Sequence, residues 1–477
     1  MKKTPVVVAF LALSAASAAA VGAGAATEVT CGGLTASQAE AAGFHVIDES
    51  RSVVAVRITG TSEADWIVGS DDADRIWGKN GGDVICGGAG NDDTFGGTGD
   101  DRIYGQAGDD KLRGGAGFDF CQPGPGVDSS SGCEQTSGSG TYIDTDQALG
   151  SAASGRTVEL GDLDGDGDLD VFIATFDFAG PTQVILNDGS GTFTDVSAGF
   201  PTTDSRDAAL GDLDGDGDLD AFVANSFVGG ANAVWMNNGS AGFTSLAQGW
   251  ANDSSVGVDL GDVDGDGDLD AFVVNFSIPS RLWLNDGGGA FADSGQEFVI
   301  DEGYAVELGD LDGDGDLDAF TGREGGNQVY INDGEGVFTD SGQAMGYAES
   351  FRVALGDLDG DGDLDAFAAN FNAPNAVWVN DGHGVFVDSG QSLGGVAESR
   401  DVALGDVDGD GDLDAFVANT PGEASRLWLN DGAGAFSDAA QPLASYQAVG
   451  LGDVDGDEDL DAIVGVSRAP TRVLRND

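Results

Sequence analysis

A chain of 477 residues with 40% hydrophobic content is long enough for two or more domains and apolar enough to bury a core. Its formal net charge of -65 excludes the basic footprint that nucleic-acid binding needs, and a compact fold so charged calls for compensating cations. The 80 glycines against 10 prolines, with no period of three, point to many tight turns and not to a collagen-like helix.

In chain order, Lys2 and Lys3 precede an apolar run from Val6 to about Val21, and Ala23 and Ala25 then offer a small-residue cleavage site. Residues 1–25 therefore read as a secretory signal peptide, the run being short and alanine-rich for a membrane anchor. No later stretch is long and apolar enough to span a bilayer, so the expected destination is extracellular. Residues 26–59 are expected to cap the region that follows. Cys31, Cys86, Cys121 and Cys133 make an even count, which in an oxidising compartment favours two disulfides. Of the three pairings possible, Cys31 with Cys86 and Cys121 with Cys133 is the one expected. Zinc is disfavoured, because neither His45 nor His383 has metal-ligand spacing to a cysteine.

A nine-residue period starts at Gly60 and places aspartate at Asp65, Asp74, Asp83, Asp92, Asp101, Asp110 and Asp119. Two residues after most of these stands an apolar side chain, at Ile67, Ile76, Ile85, Ile103 and Leu112, with Thr94 and Cys121 as exceptions. Each unit reads as a glycine-rich turn and a very short strand, the apolar residue inward. Oxygens from two stacked turns can then enclose a hard cation that neither turn could hold alone. "GGAGNDDTF", "GGTGDDRIY" and "GGAGFDFCQ" resemble the RTX calcium-binding nonapeptide, so residues 60–122 are expected to form a short parallel β-roll. The resemblance implies calcium at Asp83, Asp92, Asp101, Asp110 and Asp119. "GTSEADWIV" and "GSDDADRIW" lack two of the glycines, which puts their sites in doubt. Residues 123–140 are expected to be a disulfide-closed Gly/Ser-rich linker.

The larger repeat is an acidic loop that starts at Asp162, Asp212, Asp262, Asp310, Asp357, Asp406 and Asp453, at spacings of 47 to 50 residues. Each unit reads as four short strands with alternating pattern and no helical period: one ending in "LGD", one "LDAFVAN", one "VWxND", then a last strand after "DGxGxF". Four-stranded units at this spacing mark a β-propeller, so residues 141–477 are expected to form seven blades and the whole chain to be all-β. "GTYIDTDQALG" from Gly140 matches "GVFTDSGQAMG" from Gly336, and is expected to supply the fourth strand of the last blade.

Within each loop aspartates fall at positions 1, 3, 5, 7 and 9, with glycine at 6 in six copies. Alternate carboxylates on a tight turn converge on one point, as a hard cation requires. Strands flank the loop and an apolar or small residue stands at position 12, so it is not an EF-hand. It resembles the FG-GAP or VCBS repeat of integrin α-subunit propellers. The resemblance implies multiple Ca2+ sites. Their side-chain ligands would be Asp162, Asp164, Asp166 and Asp170 in the first loop, Asp212, Asp214, Asp216 and Asp220 in the second, and Asp262, Asp264, Asp266 and Asp270 in the third. Asp310, Asp312, Asp314 and Asp318, then Asp357, Asp359, Asp361 and Asp365, would serve the fourth and fifth. Asp406, Asp408, Asp410 and Asp414, then Asp453, Asp455, Asp457 and Asp461, would serve the last two. Glu458 replaces the position-6 glycine, so the seventh site is expected to be the weakest.

The propeller region has ten arginines and no lysine. Arg156, Arg206, Arg352 and Arg400 precede first strands, and Arg281, Arg323, Arg426, Arg468 and Arg472 sit in or end the variable second-to-third connections. All nine map to the face opposite the acidic loops, together with Trp250, Tyr304 and Phe276. That face is the candidate surface for a polysaccharide or protein ligand. The bland alternative is that these arginines pair with acids such as Asp207, Glu349 and Asp401. Glu159, Asp259 and Glu307 share a first-strand position that would line a central channel, where paired carboxylates could do acid–base work. No GxSxG or HExxH motif is present, and the expected role is non-enzymatic recognition or adhesion. A calcium-dependent polysaccharide lyase or hydrolase, and a stiff matrix component without specific ligand, are the alternatives.

Overall fold

The protein is described from a computed structural model. It covers residues 30–31, 34–35, 44–48, 56–62, 64–70, 72–99, 101–108, 110–116, 120–122, 129–131 and 135–136. From 141 to 476 it covers all but 151–153, 177–179, 198, 227–229, 249, 251–253, 300–301, 344 and 458. The expected signal peptide, Asp119, Cys133 and Glu458 lie outside the described residues. Every described element is a strand, and no described helix is long and apolar enough to cross a membrane.

The nine-residue units fold into a parallel β-solenoid of about three turns. Its strands fall into two parallel sheets, and Arg57 stands opposite Arg75, Arg75 opposite Asp93 and Asp93 opposite Lys111. One turn is thus two units. Ile58, Ile67, Ile76, Ile85, Ile103, Leu112 and Cys121 stack into one buried column, which is why a single apolar residue per unit suffices for a core. Parallel pairing runs past the repeats on both sides, through His45–Asp48 before them and through Ser129–Ser131 and Gln135–Thr136 after them.

The rest of the chain forms antiparallel sheets: five of four strands, and one of seven strands that joins two repeats. In each repeat the first two strands form a hairpin closed by a Gly–Asp pair, Gly161 opposite Asp170 in the first, and the acidic loop is what spans it. The second strand, such as Asp220–Asn225, is buried at every residue because neighbouring sheets cover both its faces. Its phenylalanine, at Phe172, Phe222, Phe272, Phe320, Phe367 and Phe416, is fully buried, and each such ring contributes about 1.5–3 kcal/mol. In the fifth repeat the second and third strands merge into Asp365–Asn380, because the connection pairs with Leu393–Gly405 of the next repeat. Tyr142–Leu149 adds to Thr471–Asn476 as the outer strand of the last sheet, so one sheet is built from both ends of this region.

Neighbouring sheets are joined by one recurring bond. Asn237 donates its side-chain amide to the Leu163 carbonyl in the acidic loop of the preceding repeat. Asn285, Asn332, Asn380, Asn430 and Asn476 do the same to Leu213, Val263, Leu311, Leu358 and Val407. Asn187 of the first sheet closes the series on Val454 of the last, at 2.7 Å. The first strands of successive repeats also neighbour one another around the same cycle, the first touching the last. Gln296, Gln343 and Gln391 add a second clasp, each donating to a glycine carbonyl and accepting a phenylalanine N–H in the next repeat.

Replacing Asn332 by alanine leaves the buried Val263 carbonyl and the half-buried Leu317 carbonyl without this donor. The expected cost is about 1–3 kcal/mol, seen as a lower urea midpoint with an unchanged m-value.

Candidate functional site

Each acidic loop is shaped by its own backbone before any ion enters. Asp162 accepts the N–H groups of Gly165 and Gly167, which curls the loop, and Gly167 takes φ 97°, the left-handed region that suits glycine. Asp170 is fully buried and accepts from Leu163 N at 2.9 Å and from Asn187 N at 2.8 Å. The same two bonds recur around Asp220, Asp270, Asp318, Asp365, Asp414 and Asp461. The third-strand asparagine therefore ties both its own repeat's ninth-position carboxylate and the preceding repeat's loop. The "VWxND" pattern carried that signal at fixed spacing, yet it gave no sign of the partner across the sheet gap.

Carboxylate oxygens of Asp162, Asp164 and Asp170 converge within 4.8 Å, as do those of Asp212, Asp214 and Asp220, of Asp262, Asp264 and Asp270, of Asp310, Asp312 and Asp318, and of Asp357, Asp359 and Asp365. The position-5 residues stand outside these triads: Asp166 is exposed and accepts from Asp168 N. A hard cation fits the triads, because Oδ1 of Asp164, Asp214, Asp312, Asp408 and Asp455 is buried with no donor to satisfy it. Burial pushes Asp170, Asp220, Asp270, Asp318 and Asp365 up to about 6 against the backbone N–H bonds that oppose it. It pushes Asp414 and Asp461 up to about 7. Desolvated acids crowded together, with a position-3 oxygen to spare, are the donor set of a cation site. The seventh loop differs, since Arg475 pairs with Asp455 from within the last sheet.

The solenoid repeats the principle with other parts. Asp65, Asp74, Asp83 and Asp92 donate their backbone N–H to Oδ1 of Asp83, Asp92, Asp101 and Asp110 one turn on. Oδ2 of Asp83, Asp92, Asp101 and Asp110 is left buried and unpartnered. A Cβ at Gly78 would lie 2.2 Å from Asp83 Oδ2 and 2.6 Å from the Gly96 carbonyl, so the glycine leaves open a cradle of oxygens from two turns. The first two units are different. Thr61 and Ser70 donate backbone N–H and hydroxyl to Asp65 and Asp74, which occupies the oxygens that the other units leave free.

The FG-GAP-like repeat model matches residues 162–223, 212–273, 262–321, 310–368, 357–417 and 406–464. The chain belongs to the FG-GAP-like repeat family. The RTX calcium-binding nonapeptide repeat model matches residues 59–94 and 95–121 of this FG-GAP-like protein. A search of curated proteins finds no match. Among solved structures, BBS1N in complex with ARL6DN is 16% identical over 70% of this chain and 97% of its own, with a TM-score of 0.50. An Agrocybe aegerita lectin described as recognising non-reducing terminal N-acetylglucosamine is 23% identical over 66% of this chain and 86% of its own, with a TM-score of 0.45. The likeness to BBS1N concerns the fold alone.

On the opposite side the arginines separate into three groups. Arg281 pairs with Asp293 and Glu297, Arg426 with Asp438, and Arg472 with Asp144 and Asp146, each across a third and fourth strand; Arg323 donates to the Gly326 carbonyl. Arg352 reaches into the middle of the first strands, 2.9 Å from both Asp207 oxygens and 3.5 to 4.0 Å from Asp401, Glu307 and Glu159. Arg156, Arg206 and Arg400 share one cavity with Tyr304. Trp250 is taken into the inter-sheet packing, its ring 5.2 Å from Phe222 and 5.1 Å from Trp283.

The raised carboxyls give the metal-free FG-GAP-like protein a defined pH dependence. Between about 4, the unfolded value, and 6 to 7, the folded state holds more protons than the unfolded one, so stability falls as pH rises. In EDTA the melting temperature is expected to drop from pH 4.5 to pH 7.5. Saturating cation should reverse the slope, because metal and protons compete for the same oxygens; differential scanning calorimetry checks both arms.

Proposed function

We propose that this FG-GAP-like repeat protein is a secreted recognition or adhesion protein whose repeats are held folded by Ca2+. The observation that carries the reading is the orphaned buried oxygen in the Asp triads and in the solenoid column, two unrelated scaffolds that leave the same vacancy for a hard cation. Calcium suits both because flexible cages of carboxylate and carbonyl oxygens are its usual surroundings. The reading takes the sheets as seven blades of a closed β-propeller, supported by the asparagine series that returns from Asn187 to Val454. It takes a polysaccharide or protein ligand to bind on the face away from the calcium loops.

Secretion and two disulfides belong to the same proposal. Cys86 and Cys121 are bonded rather than free, and the strand Thr30–Cys31 lies against Val84–Ala89, which supports Cys31 with Cys86. Cys121 would then close on Cys133. A non-catalytic role is proposed as well, because Glu159 and Glu307 are engaged around Arg352.

Calcium titration of the EDTA-stripped protein tests the reading. A β-rich circular dichroism signal that sharpens with calcium, with on the order of ten ions retained per chain, is expected. At a dissociation constant of ~0.1 mM, about 1 mM calcium adds roughly 1.4 kcal/mol per site. A fold indifferent to EDTA would sink the proposal. Calcium-dependent binding on a glycan or protein array separates recognition from a matrix role.

A further inference from the structure

Six of the first strands carry a bulge at one equivalent place, just inside the end away from the acidic loop. The register shifts between Gly155 and Thr157, Ser205 and Asp207, Ser255 and Gly257, Gly303 and Ala305, Ser350 and Arg352, and Ser399 and Asp401. The extra residues are Arg156, Arg206, Val256, Tyr304, Phe351 and Arg400. A bulge re-aims one side chain out of the pleat. Here all six re-aimed side chains line a single cavity of about 280 Å³, with Phe276 joining them. The cavity is therefore built by a repeated backbone device, not by a chance meeting of loops.

Its two halves differ in chemistry. The sixth, first and second repeats contribute Arg400, Arg156 and Arg206, while the third, fourth and fifth contribute Val256, Tyr304 and Phe351. The three guanidiniums are poorly matched. Arg156 and Arg400 make no hydrogen bond or ion pair among the described residues, and the Arg206 Nε is buried without a partner. Arg206 reaches only Asp204, at 3.4 Å, and otherwise lies 4.2 Å over the Phe176 ring; Arg400 lies 4.5 Å over Phe351. Burial, and then repulsion from Arg400 and Arg206, lower Arg156 to about 10 against the weaker pull of Asp401 and Asp207, and burial lowers Arg400 against Glu398 and Glu349. Three half-buried cations gathered in one cavity, none of them in a close ion pair, leave room for an anion from outside.

We propose that this cavity binds one acidic sugar residue of an anionic polysaccharide, its carboxylate on Arg156, Arg206 and Arg400 and its ring face against Tyr304 and Phe351. The proposal rests on the recognition reading above and names its ligand class. The cavity volume matches roughly nine waters at ~30 Å³ each, more than a bare inorganic anion fills. Guanidinium forks suit carboxylate geometry, and a rigid ring presents charge and an apolar face at once, which a flexible acidic side chain does not. Phe276 also borders a second groove of about 590 Å³, but Glu302 and Glu324 line that groove, so the acidic sugar is confined to the arginine cavity.

Isothermal titration of the calcium-loaded full chain with trigalacturonate, its neutral galactose counterpart and inorganic sulfate tests this. Trigalacturonate is expected to bind and the neutral sugar to bind at least about tenfold more weakly. Arg156→Ala and Arg400→Ala should each weaken trigalacturonate by about tenfold or more, and Tyr304→Leu by less, while Arg113→Ala in the solenoid changes nothing. The Arg156→Ala melting temperature should hold or rise, since an unpaired charge is removed. Equal binding of the neutral sugar, or variants that bind as the parent does, would overturn the acidic pocket while leaving recognition standing. Sulfate binding as tightly as trigalacturonate would reduce the cavity to an ion site. Absence of binding, with Arg156→Ala melting lower, would make the arginines structural counter-charges. A signal on the glycan array from another ligand would then show that recognition itself survives.

Discussion

A buried carboxylate oxygen with no donor is a cost that a folded chain tolerates only if something else meets it. Among the described residues this chain repeats that cost at Asp83, Asp92, Asp101 and Asp110 of the solenoid, and in at least five of its acidic loops. The two scaffolds share no geometry. In one, a carboxylate and a carbonyl face each other across stacked parallel strands; in the other, a hairpin loop folds three carboxylates onto a point. Thr61 and Ser70 show the alternative within the same chain. Their backbone N–H groups, joined by the Ser70 hydroxyl, bond Oδ2 of Asp65 and Asp74, so the oxygen that stays open in the later units is satisfied internally.

The loops are not independent of one another. Leu163 offers its N–H to Asp170 in its own loop and its carbonyl to Asn237 of the next repeat, so movement in one loop is felt through a single peptide by the neighbouring sheet. The ninth-position aspartate sits at the junction, bonded to a metal-loop N–H and to the asparagine backbone together. A cation held by the loop would therefore tighten inter-sheet contacts as well as the loop. Such coupling makes stabilisation by successive ions non-additive, since the sites share partners.

The repeat periods, the strand count per unit, the inward column of the solenoid and the acidic triads were all legible, because each is written as residue type at fixed spacing. What the spacing did not reveal was anything that depends on register. Arg352 looked equivalent to Arg156, Arg206 and Arg400, yet it stands one residue beyond the bulge and so turns onto a different face of the strand. Trp250 looked like surface because it lies in a variable stretch, but a large ring next to Phe222 and Trp283 gains more from packing than from water. The inter-sheet asparagine was visible as a constant letter whose partner, about 70 residues away in the chain, only the fold supplies.

That one-residue offset divides the side chains of the first strands into two electrostatic layers with opposite solutions. In the deeper layer Arg352 faces Asp207, Asp401, Glu307 and Glu159, and one guanidinium cannot balance four carboxylates. Burial, partly offset by Arg352, pushes Glu159 to about 8, so the layer meets its excess by holding a proton at neutral pH. Backbone N–H groups of Val258 and Val449 take up further oxygens of Asp207 and Asp401, which converts the acids into cross-links between first strands. In the outer layer an arginine cannot shed its charge in the same way, because its pKa starts far above neutrality. Setting Arg156, Arg206 and Arg400 on bulges keeps them out of the close ion pairs that Arg352 makes, although Asp401 and Asp207 still act on Arg156 at longer range. The deeper layer thus neutralises its excess with its own protons and N–H groups, while the outer layer leaves its charge on three arginines without close partners.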